Sequence, residues 1–295
     1  MSPAHWLLML AVNLVFGLSF VTTKIVVLEL PPLTAATLRF AVILLVMLPL
    51  LRWQPGQMRV ILWVGLLMGS LHFALLNAGL SLAGDISTVA ILIQLGVPFS
   101  TLFSVWFLGE KIRWRRWLGI ALAFAGVMIM GFDPRVFDYR IAVILVVGAA
   151  AAGSAGMTLM KARVEMNAFQ LQGWVAAVGF PSLLALSLVV EPGGLAQASA
   201  LSPLAAACLV FTGLGSGLFG HGGTFILLQH YDLSLVSPLL LLATVAGVVF
   251  GVTLMGDVLS AKMLIGGLVT LAGALVITLR NPSDDTDMVA AAGAR

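Results

Sequence analysis

The chain has 295 residues, of which 61% are hydrophobic and 9% charged, with a mean hydropathy of +1.11 and a formal net charge of +3. Soluble domains carry about 25% charged residues, so this composition excludes a soluble protein and indicates one that lies in a lipid bilayer. The basic residues stand in short loops between apolar runs, a pattern that orients membrane helices and does not indicate a nucleic-acid partner.

Ten apolar runs are long enough to cross a membrane as helices, which requires about 20 mostly apolar residues each. The sequence therefore predicts an all-α polytopic membrane protein. The first run has no basic segment before it and no cleavage site after it, so we expect a membrane helix rather than a signal peptide. The predicted spans are 4–27, 33–51, 59–83, 86–108, 114–131, 139–160, 168–190, 203–229, 234–255 and 262–280.

The loop charges predict the orientation of these spans. If the N-terminus is cytoplasmic, ten basic residues lie inside: Arg52, Arg59, Lys111, Arg113, Arg115, Arg116, Lys161, Arg163, Arg280 and Arg295. Four lie outside: Lys24, Arg135, Arg140 and Lys262. Cytoplasmic loops of membrane proteins are enriched in Lys and Arg, so both termini are predicted inside, and a bacterial inner membrane is the expected location.

Polar residues within the spans are candidates for a functional site, because polar groups in a bilayer are costly. Arg39 in predicted helix 2 could hold a substrate carboxylate or snorkel to the surface, and snorkelling is the favoured interpretation. Lys24 is also expected to snorkel. On predicted helix 3, His72 lies mid-span and could bind a carboxylate or relay a proton. Asn77, on the same predicted helix, is a weaker candidate for a cavity-lining residue.

Predicted helix 4 carries Gln94, Pro98 and Thr101 at i, i+4 and i+7, a spacing that places them on one face. A proline kink frees a backbone carbonyl, and kinked helices often line transporter cavities. Trp106, near the inner end of this helix, could be a gate residue. The alternative is that the proline kinks the helix while none of these side chains contacts a ligand.

The second half supplies a similar set of candidates. Ser154 and Gly156 lie in the glycine-rich middle of predicted helix 6, where close helix packing is the alternative. Trp174, early in helix 7, could stack on an apolar or aromatic group. His221 lies mid-span in helix 8. Ser237, Leu241 and Thr244 form the matching face of helix 9, next to Pro238.

All twelve carboxylates fall at predicted helix ends or in loops. Ion-coupled transporters generally carry an acidic residue within the membrane to bind the ion. If the protein is a transporter, the sequence therefore predicts downhill facilitated transport rather than coupling through a buried carboxylate.

An internal repeat organises the chain. Residues 85–130 align with 232–277 at a shift of 147 without a gap, and Asp85, Phe103, Gly119 and Gly126 each meet an identical residue. Because each repeat has five helices, the second copy is predicted to be inverted, and inverted repeats are typical of secondary transporters. We expect a first repeat at 1–131, a second at 139–281, and a disordered cytoplasmic tail at 282–295.

The segment FLGEKIRWRRWLGIALAFAGVMIM at 107–130, with Gly109, Glu110, Gly119 and Gly126, resembles the drug/metabolite transporter superfamily in its EamA-type branch. The second copy departs from this pattern by having Asp257 at the position of Glu110. The resemblance implies a basket of helices around a central cavity, with helices 5 and 10 outside it, and export from the cytoplasm. The chain looks most like exporters of aromatic and other neutral amino acids, with threonine and methionine as further candidates.

Other functions remain as alternatives. Within transporters, the substrate could be a nucleobase or a drug-like amine. The remote alternative is an intramembrane enzyme that uses Ser216 and His221, but residues five apart on an α-helix point about 140° apart. No metal or cofactor motif is present, so an enzyme is not expected. The predicted partners are a small-molecule substrate and the lipid bilayer, and the protein could be a monomer or a homodimer.

Overall fold

A computed structural model describes residues 2–109, 114–131, 138–164, 166–230 and 239–278. Within these ranges the regular structure is entirely helical. Seven helices are long and apolar enough to cross a membrane, and three shorter apolar helices bring the number of spans to ten. The predicted tail at 282–295 and the predicted site residues Ser237 and Pro238 lie outside the described residues.

The ten helices follow the predicted spans closely. Three of them, α3, α4 and α8, contain a stretch of different helical geometry. The bounds are α1 Pro3–Glu29, α2 Pro32–Met47, α3 Met58–Leu82, α4 Ile86–Leu92 with Gly96–Leu108, α5 Trp114–Gly131, α6 Arg140–Arg163, α7 Ala168–Val190, α8 Pro203–Val210 with His221–His230, α9 Leu242–Met255 and α10 Ala261–Thr278. A short helix, Gly194–Gln197, lies in the loop between α7 and α8, and no sequence pattern predicted it.

Local sequence explains where these helices begin and end. Proline stands at the first position of α1, α2 and α8, where its missing N–H is not needed. Asp85 caps α4, because its carboxylate accepts a 2.6 Å hydrogen bond from Thr88 N. Gly109 and Gly256 end α4 and α9 at φ of 67° and 73°. These two glycines are 147 positions apart, so both repeats use the same terminator.

The helix packing is symmetric on exchange of the two halves. Helix α1 packs against α9, and its counterpart α6 packs against α4. Likewise α3 packs on α6, and α8 packs on α1. The pairs α2·α7 and α5·α10 each join a helix to its own counterpart. This is the arrangement that two equivalent five-helix halves produce.

The crossing of α5 and α10 also bears on the relative direction of the halves. A Cβ added at Gly126 would lie 2.4 Å from Gly266 O, and one added at Gly273 would lie 2.6 Å from Gly119 O. The two backbones are therefore in direct contact, and the pairing of 119 with 273 and 126 with 266 makes the helices antiparallel. A shift of 147 turns one glycine pair into the other, as expected if an in-plane two-fold axis relates the repeats.

Carboxylates of the second half cap helices of the first at the predicted outer face. Asp257, after α9, accepts hydrogen bonds from Ile86 N, Ser87 N and Ser87 Oγ at 2.7–3.0 Å. Glu191, after α7, accepts bonds from Leu33 N and Thr34 N at 2.9 and 2.8 Å. A helix N-terminus has unsatisfied N–H groups and a positive dipole end, so both contacts are favourable.

A carboxylate of the first half likewise caps a helix of the second half at the same face. Glu29, at the end of α1, accepts bonds from Ser202 N and Ser202 Oγ at 2.9 and 2.6 Å, at the start of α8. We call the contacts of Glu29, Glu191 and Asp257 the outer caps.

Lys24 is buried and its Nζ donates to Leu80 O and Ala83 O at 2.7 and 2.8 Å. The expectation that Lys24 snorkels is therefore wrong, because the last carbonyls of α3 bind its ammonium group.

Candidate functional site

Helices α3 and α8, which occupy the same place in the two repeats, each contain a π-helical segment. In α3 it covers Gly65–Leu71, and in α8 it covers Phe211–Gly220. The π segment ends directly before His72 in one helix and before His221 in the other. π-helical turns are rare and occur frequently at functional sites. The duplicated distortion therefore marks the two histidines.

Arg39 lies between the two repeats and is buried, with 7% of its surface exposed. Its Nη2 donates a 3.0 Å hydrogen bond to Ser216 Oγ on the π segment of α8. Its guanidinium carbon stands 4.4 Å from the centroid of the Phe73 ring on α3. The expectation that Arg39 snorkels is wrong, because these contacts hold the charged group between α2, α3 and α8.

The His72 ring is held by α6. Its Nδ1 lies 2.7 Å from Ala149 O, and since a carbonyl can only accept, Nδ1 donates the proton. In the neutral ring this leaves Nε2 as a hydrogen-bond acceptor. The ring also packs edge-on against Phe73 at a centroid distance of 4.8 Å. Phe73 thus contacts both the guanidinium of Arg39 and the imidazole of His72.

His221 completes this group from the opposite half. It is exposed although it lies far from either end of α8, and it packs edge-on against Phe16 of α1 at 5.2 Å between ring centroids. The two imidazoles and the Arg39 guanidinium are near enough to interact electrostatically. His221 is therefore grouped with Arg39 and His72. We call Arg39, His72, Phe73, Ser216 and His221 the central cluster.

A cavity of about 260 Å³ lies between α4 and α6 and adjoins this cluster. Gln94 and Ser154, both predicted site residues, line it. Ser154 Oγ donates to Gly96 O at 2.8 Å across the two helices. Gly153 lines the same cavity, and a Cβ at that position would lie 2.7 Å from His72 Nδ1. The wall of the cavity is therefore in contact with the central cluster through His72.

The other two residues of the predicted α4 face do not line this cavity. Pro98 is buried, and Thr101 Oγ1 donates to Val97 O of its own helix at 3.1 Å. Val97 and Ser100 line the cavity beside Gln94 instead. The reason is a 3₁₀ segment at Ile93–Leu95, which winds more tightly than an α-helix and rotates the face that follows.

Several other predicted site residues make structural contacts away from the central cluster. Asn77 is buried and its Nδ2 donates to Pro32 O at 3.3 Å. Gly156 packs against Met68 of α3, where a Cβ would lie 2.4 Å from Met68 Cγ. Trp174 Nε1 donates to Arg52 O at 3.1 Å, and its ring packs edge-on against Trp53. Trp174 thus joins α7 to the loop after α2 at the predicted inner end.

Two further candidates lie elsewhere on the helices. Trp106 is 65% exposed and packs on Phe103 of its own helix, so its proposed role as a gate remains a prediction. Thr244 is buried in α9, close to the contact of α9 with Gly17 of α1. Its role in a cavity also remains a prediction.

The π segment changes the argument about Ser216 and His221. In a π-helix residues i and i+5 lie near one another, so the α-helical separation of about 140° does not apply here. Ser216 Oγ nevertheless donates to Thr212 O at 2.9 Å and accepts from Arg39. Its proton is therefore directed at a carbonyl and not at a base. Among the described residues no group of three metal-binding side chains lies together.

Sequence reasoning missed Phe16 and Phe73, which hold the central cluster together. Phe73 follows His72 directly, and Phe16 lies at the middle of α1. The signal that could have found the cluster is the pair of glycine- and serine-rich segments, GLLMGSL and FTGLGSGLFG, each followed by a histidine.

Comparisons with known proteins identify the family and relatives of this chain. The family model described as EamA-like transporter family matches residues 5–132 and again 140–279. The chain is 25% identical over 282 residues to a "Probable amino-acid metabolite efflux pump" of Salmonella typhimurium, covering 92% of this chain and 94% of the relative. A protein of the same description from Escherichia coli is 23% identical over 283 residues, with the same shares covered.

Two other comparisons extend over nearly the whole chain. An "Uncharacterized transporter" of Archaeoglobus fulgidus is 25% identical over 284 residues, covering 92% of this chain and 98% of the relative. A solved structure titled "Crystal structure of protein" superposes with a TM-score of 0.58 at 19% identity, covering 95% of this chain and 98% of the other. At that identity the structural likeness shows the fold alone.

Proposed function

The chain belongs to the EamA-like transporter family, and we propose that it exports small neutral or zwitterionic metabolites, amino acids above all, from the bacterial cytoplasm. Aromatic amino acids are the first candidates, with threonine and methionine next. The relatives described as amino-acid metabolite efflux pumps support this choice of substrate. Transport proceeds by alternating access, in which one site between the two repeats is opened to either side in turn.

The observation that carries the proposal is the central cluster. Its members come from both halves of the chain: Arg39, His72 and Phe73 from the first, Ser216 and His221 from the second. A polar site at the boundary between two repeats changes its exposure when the repeats move against each other. The π segments that precede both histidines provide the irregular backbone that lines such sites.

Transport is proposed to be downhill. The carboxylates of the described residues, Glu29, Asp85, Asp138, Glu191 and Asp257, lie at or beyond helix ends. Three of them form the outer caps. An acidic residue within the membrane, which ion coupling generally uses, is not found among the described spans.

Uptake of labelled phenylalanine, threonine and methionine into liposomes that contain the purified protein tests this function. The expected result is saturable uptake of at least one of the three that persists without a pH or sodium gradient. Strict dependence on a sodium gradient would contradict the downhill mechanism. Transport of nucleobases or drug-like amines, with none of the amino acids moved, would contradict the proposed substrate.

A further inference from the structure

We propose that Arg39 binds the carboxylate group of the substrate, so that the transporter selects carboxylate-bearing molecules over amines and amides of the same shape. This inference rests on the proposed function and names the group that recognises the substrate. The observation that leads to it is a permanent positive charge buried at the boundary of the two repeats.

The charge of Arg39 has no counter-ion among the described residues. A guanidinium is protonated at all physiological pH values, so it cannot lose its charge on burial as a lysine can. Its protein contacts are the Ser216 hydroxyl and the face of Phe73, and both are neutral. Buried charges in proteins are normally paired, because an isolated one is costly to remove from water.

The donor groups of Arg39 are also not all used. Its Nε is buried and makes no hydrogen bond, while Nη2 binds Ser216. A guanidinium presents its donors in a planar fork that matches the two oxygens of a carboxylate. Ser216 Oγ already has two partners, Arg39 and Thr212 O, which fixes the fork in one orientation. The arrangement is that of an anion site held ready by the protein.

The surroundings of the site favour an organic molecule with a single carboxylate. One positive charge balances one carboxylate, whereas a phosphate dianion would call for a second cation. Phe73 and Phe16 line the neighbourhood of His72 and His221 and would contact an apolar side chain. A lipophilic cation would meet the repulsion of the guanidinium, and it is therefore the class of molecule that this site rejects.

Competition in the liposome uptake of labelled phenylalanine tests the inference. We compare unlabelled phenylalanine, 3-phenylpropionate, phenylalaninamide and phenethylamine as competitors. The first two carry the carboxylate and are expected to inhibit uptake, while the last two are expected to be roughly 30-fold weaker or more, which is the loss typical when one partner of a buried charge pair is absent. Equal inhibition by the amide and the acid would overturn the proposal.

Variants test whether Arg39 is the residue that recognises the carboxylate. Arg39→Gln is expected to lose most of the uptake of phenylalanine and the preference for the acid over the amide, and Arg39→Lys to retain a part of both. Ser216→Ala keeps the charge and is expected to raise the KM. Arg59→Gln removes an exposed charge at the predicted inner end of α3 and is the matched control.

Thermal unfolding in detergent separates binding from a structural role. Because an unpaired buried charge destabilises a protein, Arg39→Gln is expected to unfold at the same temperature as wild type or higher, whereas a structural arginine would give a lower one. 3-Phenylpropionate is expected to raise the unfolding temperature of wild type and of Arg59→Gln but not of Arg39→Gln. If phenylalanine is not transported but this shift occurs, the inference stands and the choice of cargo fails. If phenylalanine is transported equally by Arg39→Gln, the proposed function stands and the inference fails.

Discussion

At the scale of single residues, Gly153 determines where the His72 ring can lie. A Cβ at residue 153 would stand 2.7 Å from His72 Nδ1, closer than such atoms approach in proteins. We predict that Gly153→Ala displaces the imidazole from Ala149 O. The initial rate of phenylalanine uptake at low concentration should fall about fivefold, which corresponds to the ~1 kcal/mol of one hydrogen bond.

The control for this variant is Gly148→Ala on the same helix. Its Cβ would meet only the end of the Leu75 side chain at 3.3 Å, which can move. Uptake by Gly148→Ala is expected to remain close to wild type. If Gly153→Ala transports as well as Gly148→Ala, the position of His72 is not important for transport.

The positions of individual polar residues show which parts of the site could be predicted from the sequence. His72, Gln94 and Ser154 were chosen because they are polar within apolar spans, and they lie at or beside one cavity. The same reasoning favoured an outward-pointing Arg39, because it treats each side chain alone. Ser216 and Phe73, which hold the guanidinium inside, are 177 and 34 positions away along the chain, and no local pattern links them to Arg39.

At the scale of helices, the crossing of α5 and α10 depends on glycine. A Cβ at Gly126 would lie 2.3 Å from Thr270 Oγ1 and 2.4 Å from Gly266 O, so a larger side chain must push the helices apart. We predict that Gly126→Leu lowers the free energy of unfolding by about 1–3 kcal/mol, the usual cost of overpacking. Thermal unfolding in detergent measures this effect.

Ala125→Leu is the matched control, since Ala125 is the neighbouring residue and is exposed. It adds a larger side chain at the adjacent position without entering the α5·α10 contact. An equal loss of stability in both variants would contradict a close crossing at Gly126.

The outer caps predict a second effect at this scale. Glu191 and Asp257 each hold a helix N-terminus of the other half, and hydrogen bonds to charged groups contribute about 1.5–3 kcal/mol. If these contacts close the outer face, then replacing both residues by alanine shifts the population toward a state that is open outward. We expect faster labelling of a cysteine at residue 221 by a membrane-impermeant thiol reagent added to the outer side.

This experiment uses His221→Cys in a Cys208→Ser background, because Cys208 is the chain's one cysteine. Asp138→Ala removes an exposed carboxylate near the start of α6 and serves as the control. Labelling that is unchanged in the double alanine variant would show that the outer caps do not hold the outer face closed.

Helix boundaries were largely predictable, whereas helical irregularities were not. Apolar runs, proline at helix starts and Asp85 as a cap are local signals, and each agrees with the structure. The π segments of α3 and α8 and the 3₁₀ segment of α4 depend on how each helix packs against its neighbours. For this reason the regular α-helical spacing of Gln94, Pro98 and Thr101 identified only the first of the three as a residue lining the cavity.

At the scale of the whole molecule, two similar halves enclose one polar cluster. The 147-residue shift in the sequence reappears as the paired glycines of the α5·α10 crossing and as the matching terminators Gly109 and Gly256. Two states of similar energy are expected for such a molecule, since exchange of the halves converts a form closed on one side into a form closed on the other. The outer caps lie at the predicted outer face, and we expect them to favour the form whose outer face is closed.

The most direct test of a single, alternately exposed site is trans-stimulation. Liposomes are loaded with unlabelled phenylalanine, and the initial uptake of labelled phenylalanine is compared with that of empty liposomes. An alternating-access carrier is predicted to take up label several-fold faster when the opposite side is loaded, because the loaded site returns with substrate bound. Uptake that does not respond to internal phenylalanine, or that rises linearly with external concentration, would contradict the account, because it would indicate a pore that is open to both sides at once.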